Sequence, residues 1–208
     1  MNNYPKPSFH QTRRLKGWDY TRPGAYFITI CVANRRCIFG EINKSKMLLN
    51  EFGFIARDTW MWLSSQYPYI QLDEYQIIPN HFHGILWIKD KNFLVLNIQN
   101  RGGGSRTALP EQQKIISEKN ITINRIKPVG RLIGAFKTVS TKQINLIRQT
   151  PGVSLWQRDF YDHIGRNEKE LYRYRKYIKN NPVNWDSDDE NPFGKSPRYV
   201  AMNNPQKY

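Results

Sequence analysis

The chain has 208 residues, 39% of them hydrophobic and 13% aromatic. That is enough to build one core of ordinary domain size, and it excludes wholesale disorder. The formal net charge of +15 marks the chain for a polyanion, nucleic acid first and an anionic membrane surface second. No apolar run of about 18 residues and no isolated cationic amphipathic helix is visible, so no membrane partner is expected. Cys31 and Cys37 have no His or Cys neighbours at ligand spacing. With no signal peptide ahead of them, they read as free thiols of a cytoplasmic protein.

Residues 1–23 form a polar, basic arm in which Arg13, Arg14, Lys16 and Arg22 alternate with Trp18 and Tyr20. The mixture suits an arm that lies on DNA or folds over the domain, against the plainer reading of a frayed terminus. Arg13, Arg14, Lys16, Trp18 and Tyr20 are its DNA-contact candidates. Gly24 to Ala33 is almost wholly apolar and β-favouring, which predicts a central strand; Ile38 to Ile42 predicts a short edge strand. Leu48, Leu49, Phe52, Ile55, Ala56, Thr59, Trp60 and Leu63 recur at steps of three and four, which predicts a helix over Ser45 to Ser65, ended by Pro68. Ile70 to Ile78 predicts a second strand, Pro79-Asn80 a turn, and Phe82 to Ile88 a further strand.

Residues 89–128 read as a flexible insertion around the glycine-rich stretch Asn100 to Thr107. This stretch lacks the Lys-Ser/Thr ending of a phosphate loop. Val129 to Gln149 predicts a helix with Leu132, Ile133, Phe136, Val139, Ile144 and Ile147 on its buried side. Its basic residues, Arg131 and Lys137 foremost, are DNA-contact candidates, although a solvated face is the usual role of such charges. Ser154 to Ile164 carries the last predicted strand. Asn167 reads as the N-cap of a final helix that runs to Asn180, with Pro182 stopping it.

Two groupings carry chemistry. His81 and His83 are two apart on a strand, so they project from one face with Phe82 on the other. Paired imidazoles make half of a metal site, and are equally compatible with two inert histidines at a strand end. Tyr174, Tyr177 and Asn181 share one face of the final helix. A tyrosine that attacks a phosphodiester works best beside a bound cation. The amide oxygen of Asn181 is placed to add a ligand. Spacing alone does not separate Tyr177 from Tyr161, Tyr172 or Tyr174.

The order of these parts resembles the single-tyrosine HUH transposases, most closely the REP-associated tyrosine transposases of bacteria. The matching stretches are Arg13-Arg-Leu-Lys-Gly-Trp-Asp-Tyr20, Pro23-Gly-Ala-Tyr-Phe-Ile-Thr29, Ile78-Pro-Asn-His-Phe-His-Gly-Ile85, Leu155-Trp-Gln-Arg-Asp-Phe-Tyr-Asp-His-Ile164, Arg166-Asn-Glu168 and Tyr177-Ile-Lys-Asn-Asn-Pro-Val183. The resemblance implies that the family's metal-binding histidine pair falls on His81 and His83, its nucleophile on Tyr177 and its third metal-binding residue on Asn181. It further implies an α+β fold, a ferredoxin-like antiparallel sheet with helices packed on it, spanning about residues 24–185 with a tail over 186–208. The implied activity is cleavage and rejoining of single-stranded DNA at hairpin sites with Mg²⁺ or Mn²⁺, through a 5′-phosphotyrosine link, by a homodimer. His163 falls where it could support the metal ligands or touch substrate, or could simply be a core or capping histidine. The alternatives are a non-catalytic DNA-binding repressor derived from a transposase, and a metal-dependent nuclease with no covalent intermediate.

Overall fold

A computed structural model describes residues 15, 17–90 and 126–194. Arg13, Arg14, Lys16, the glycine-rich stretch and the chain from 195 onward lie outside the described residues. Strand β1 (Gly24–Cys31) has six consecutive buried residues, as a strand covered on both faces must. Strand β4 (Ile70–Ile78) and strand β5 (His81–Ile88) form a hairpin through Pro79-Asn80, and β5 pairs with β1. The short strand β6 (Tyr161–Gly165) pairs with the other edge of β1. Every pairing is antiparallel, and the order across the sheet is β4-β5-β1-β6. The second, third, first and fourth of these strands thus lie side by side, the order of a ferredoxin-like α+β fold.

Helix α1 (Glu51–Gln66) and helix α2 (Val129–Arg148) cover one face of the sheet. Their core joins Trp60, Leu63, Leu132, Ile133 and Phe136 to Tyr26, Ile28, Ile30, Phe82 and Leu86. The other face carries Ala25, Phe27 and Ile85, and is covered by helix α3 (Glu168–Asn180) through Leu171 and Ile178. Gly84 belongs to the α1 face: a Cβ there would stand 2.6 Å from the Phe82 ring and 2.8 Å from the Trp60 ring, so any side chain would force those rings to shift.

Two expectations change. The predicted helix from Ser45 starts at Glu51, because Lys46–Leu49 is strand β3, paired with strand β2 (Gly40–Asn43) in a separate two-stranded sheet. Lys44 and Ser45 both have positive φ, 46° and 62°, which matches the twist of a tight hairpin. Asn50 then caps α1, its side chain accepting from the Gly53 amide at 3.1 Å. In α2, Ile147 is exposed and Val139 only half-buried. Ser140 and Asn145 are buried instead, and Ser140 Oγ accepts from the Trp156 indole at 2.9 Å.

The described part of the arm folds over the domain. The Tyr20 ring stands 6.0 Å from that of Tyr26, and the Tyr20 carbonyl accepts from the first amide of α2 at 3.2 Å. The Trp18 indole donates to the Tyr26 hydroxyl at 3.4 Å, with the Arg22 guanidinium 5.3 Å above the Trp18 ring.

Candidate metal and nucleophile site

β5 begins directly after the Pro79-Asn80 turn, so His81 and His83 sit at the sheet end nearest the last turn of α3. Opposite them on β1 are Cys31 and Thr29. Both imidazoles are buried, 0% and 1% exposed, with ring centroids 4.6 Å apart. His81 Nδ1 donates to Asn80 Oδ1 at 2.8 Å, which leaves Nε2 as the lone-pair nitrogen. That Nε2 is buried with no hydrogen-bond partner. His83 Nδ1 donates to Thr29 Oγ1 at 2.8 Å, and its Nε2 accepts from Asn181 Nδ2 at 3.3 Å. Burial holds both rings below the usual histidine pKa. His81 lowers His83 further, while Asp188 and Glu190 partly offset the effect on His81. Two neutral imidazoles, each steered through Nδ1, are what a metal ion requires of histidine ligands.

α3 is a helix with a defined start. Asn167 accepts from the Glu170 amide at 2.9 Å, and Glu168 and Glu170 occupy the first turn. Arg175 then locks the helix to β4, donating to both oxygens of Asp73 at 2.6–3.1 Å, while the Trp87 indole donates to Asp73 Oδ2 at 2.9 Å. The four tyrosines that spacing left equivalent are separated by this docking. Tyr172 is 63% exposed. Tyr174 stacks on Phe27 at 4.6 Å, and Tyr161 stands edge-on to the same ring at 6.2 Å. Tyr177 is set against His83, its hydroxyl 3.5 Å from Nε2. Burial, then the charge of Asp188, pushes the Tyr177 hydroxyl well above the usual tyrosine pKa.

Asn181 ends α3 and is buried. Its amide hydrogens face His83 Nε2, the Tyr177 hydroxyl at 3.4 Å and Asp188 Oδ2 at 3.1 Å, while its Oδ1 is buried without a partner. Asp188 was not among the residues picked from the sequence. After α3 the chain turns through a short 3-10 segment, Trp185–Ser187, and returns over the site. Ligand atoms of His81, His83 and Asp188 all lie within 4.8 Å of one another, close enough to hold one ion. The signal that could have found Asp188 is the acidic run Asp186-Ser-Asp-Asp-Glu190, conspicuous in so basic a chain.

The other candidates lie elsewhere. His163 Nε2 pairs with Glu170 Oε1 at 2.8 Å and its ring stands 5.3 Å from Tyr174, tying β6 to the first turn of α3. Arg131 is exposed on α2, across the sheet from the histidines. Lys137, also on α2, donates to the carbonyls of Gln157, Arg158 and Asp159 at 2.9, 3.2 and 3.0 Å. Those bonds engage all three ammonium protons in holding the chain before β6. Among the described residues, no helix is long and apolar enough to cross a membrane.

A Haemophilus influenzae protein described as uncharacterized is 33% identical to this chain over 177 residues, covering 84% of this chain and 89% of its own length. No family model matches. Two solved structures share the general arrangement at low similarity. One is a REP-associated tyrosine transposase bound to a REP hairpin (TM-score 0.46, 16% identity, 89% of this chain and 74% of that one). The other is a candidate transposase from Deinococcus radiodurans R1 (TM-score 0.41, 13% identity, 81% and 96%).

Proposed function

This chain belongs to the family of that Haemophilus influenzae protein, and we propose that it is a transposase-type endonuclease that cuts and rejoins single-stranded DNA through Tyr177. One observation carries the reading: the hydroxyl of a half-buried tyrosine 3.5 Å from a histidine nitrogen, beside three buried residues whose side chains could ligate a metal. The substrate class rests on the +15 charge and on the motif order that resembles the REP-associated tyrosine transposases.

In this reading Tyr177 Oη attacks a backbone phosphorus and the bond from phosphorus to the 3′-oxygen breaks. The tyrosine gives up its proton, the departing 3′-oxygen takes one, and the 5′ side stays linked as a phosphotyrosine. A free 3′-hydroxyl then attacks the same phosphorus and restores Tyr177. His81, His83, Asn181 and Asp188 would hold Mg²⁺ or Mn²⁺, and the ion would supply positive charge to offset the negative charge on the phosphoryl oxygens. The two lone atoms, His81 Nε2 and Asn181 Oδ1, fit that role. The chain's own work is positional. The Arg175–Asp73 clamp fixes the roll of α3, and Phe27 and His83 stand edge-on to the Tyr177 ring at 6.1 and 5.1 Å, which sets the direction of its hydroxyl.

The test is a denaturing gel after incubation with labelled single-stranded hairpin DNA and Mn²⁺. A covalent protein–DNA band that disappears with chelator is the expected result. Free products without the band would make the protein a nuclease, and binding without either would make it a repressor.

A further inference from the structure

We infer that Asp188 completes a two-histidine, one-carboxylate ligand set with His81 and His83, and that this set selects a transition ion of the Mn²⁺ class over Mg²⁺. The inference rests on the reading of the histidine pair as a metal site.

Asp188 is a carboxylate only 9% exposed. Its Oδ1 accepts from the Glu190 amide at 2.7 Å and its Oδ2 from Asn181 Nδ2 at 3.1 Å, both neutral donors. The nearby guanidinium of Arg35 is already engaged by Glu190 at 3.2 Å. A buried anion held by neutral donors beside two neutral imidazoles leaves a local excess of negative charge. A divalent cation offsets it, and each Asp188 oxygen keeps a second lone pair for that purpose.

The carboxylate is also mounted, not merely nearby. Asn80 Nδ2 donates to the Glu190 carbonyl at 2.6 Å and to the Arg35 carbonyl at 3.2 Å, while Asn80 Oδ1 accepts from His81. One amide therefore orients His81 Nε2 and anchors the segment that carries Asp188. Arg35 adds a bond to the Asp189 carbonyl at 3.4 Å, and Asn191 Nδ2 ties back to the Trp185 carbonyl at 2.9 Å. Bonds from Asn80 and Arg35 to the tail, with one inside it, hold the carboxylate beside the β5 histidines.

The donor set then decides the ion. Mg²⁺ prefers an oxygen shell and retains its waters, whereas imidazole nitrogen favours first-row transition ions. Two nitrogens among the protein ligands shift the balance toward first-row transition ions, of which Mn²⁺ binds most weakly and so makes the strictest probe against Mg²⁺. The carboxylate supplies the charge that lets the site compete for an ion at all.

The test uses the purified full-length chain without DNA, with free Mn²⁺ followed by its electron paramagnetic resonance signal. Wild type is expected to bind Mn²⁺, and a roughly hundredfold excess of Mg²⁺ is expected to leave most of it in place. Asp188→Asn keeps the shape and the bond from the Glu190 amide, and should weaken Mn²⁺ binding about tenfold or more. Arg35→Ala leaves the carboxylate but loosens its mount, and should give a smaller loss. Asp188→Asn within about threefold of wild type overturns the inference. So does Mg²⁺ that displaces Mn²⁺ at equal concentration, a result that needs no variant to fold. If His81→Ala and His83→Ala both bind Mn²⁺ as wild type does, it is the metal reading of the histidine pair that fails.

Discussion

Tyr177 and Asn80 show how much a single atom decides in this site. Tyr177→Phe removes the oxygen that stands 3.5 Å from His83 and leaves the ring's edge-on contacts with Phe27 and His83. The variant is expected to bind hairpin DNA like wild type and to form no covalent band on a denaturing gel. A band that persists in Tyr177→Phe and vanishes in Tyr161→Phe would move the nucleophile to β6. Asn80 touches no substrate in this scheme, yet His81 takes its ring orientation from it. Asn80→Ala frees His81 Nδ1 and leaves two carbonyls without their donor. Its expected cost in Mn²⁺ affinity is on the order of 10–100-fold, the scale of lost support behind a metal ligand. Thr29→Val, which takes the same support from His83, should fall in that range too. Unchanged affinity in both would mean that packing alone orients the rings.

Among the elements, α3 carries the proposed nucleophile and is docked through carboxylates that acid would protonate. Burial raises the Asp73 carboxyl, but the bonds from Arg175 and Trp87 outweigh it and hold the group below its ordinary value of 3.8. Glu170 is likewise held below its ordinary 4.5, burial being offset by the Arg166 amide and His163. A carboxylate whose folded pKa is depressed adds stability above its unfolded pKa and loses it as pH falls through the folded one. The docking of α3 should therefore hold down to about pH 4 and weaken below it. Asp73→Asn should cost about 1–2 kcal/mol at neutral pH, discounted because Arg175 is a third exposed, and should flatten the acid limb of a denaturation profile. An acid limb of unchanged steepness in Asp73→Asn would place the acid sensitivity elsewhere. The same scale shows what was legible in the sequence. β1, β4, β5 and α3 announced themselves because burial on two faces, strict alternation or a capped amphipathic stripe leaves a mark on consecutive residues. The edge strand expected over Ile38 to Ile42 overlaps β2, but β3 left no such mark, because Met47 and Leu49 alternate for only four residues and Leu48, though exposed, completes a false helical stripe. Asp188 was missed for a different reason. Its role depends on a chain reversal fixed by side-chain bonds to Arg35 and Asn80, contacts made across more than a hundred residues of sequence.

On the scale of the whole molecule, the charge of +15 must be divided between binding and structure. Lys137 is engaged by three carbonyls and Arg175 by Asp73, so neither is spare for a phosphate without loss elsewhere. The arm divides in the same way. Trp18 and Tyr20 pack on Tyr26 and the start of α2, so a deletion through residue 22 would damage the fold along with any DNA contact. Deleting residues 1–14 is the cleaner experiment, since it removes Lys6, Arg13 and Arg14 and spares those contacts. Hairpin affinity should fall, and the slope of log affinity against log salt should become shallower by up to roughly 2, because each phosphate contact on a single strand releases about 0.7 of a counterion. The thermal midpoint should not move. A parallel measurement on an unrelated single strand decides what the arm reads: a loss confined to the hairpin makes it a recognition element, and an equal loss on both makes it a source of charge. If affinity and slope are unchanged on both substrates, Lys6, Arg13 and Arg14 make no phosphate contact.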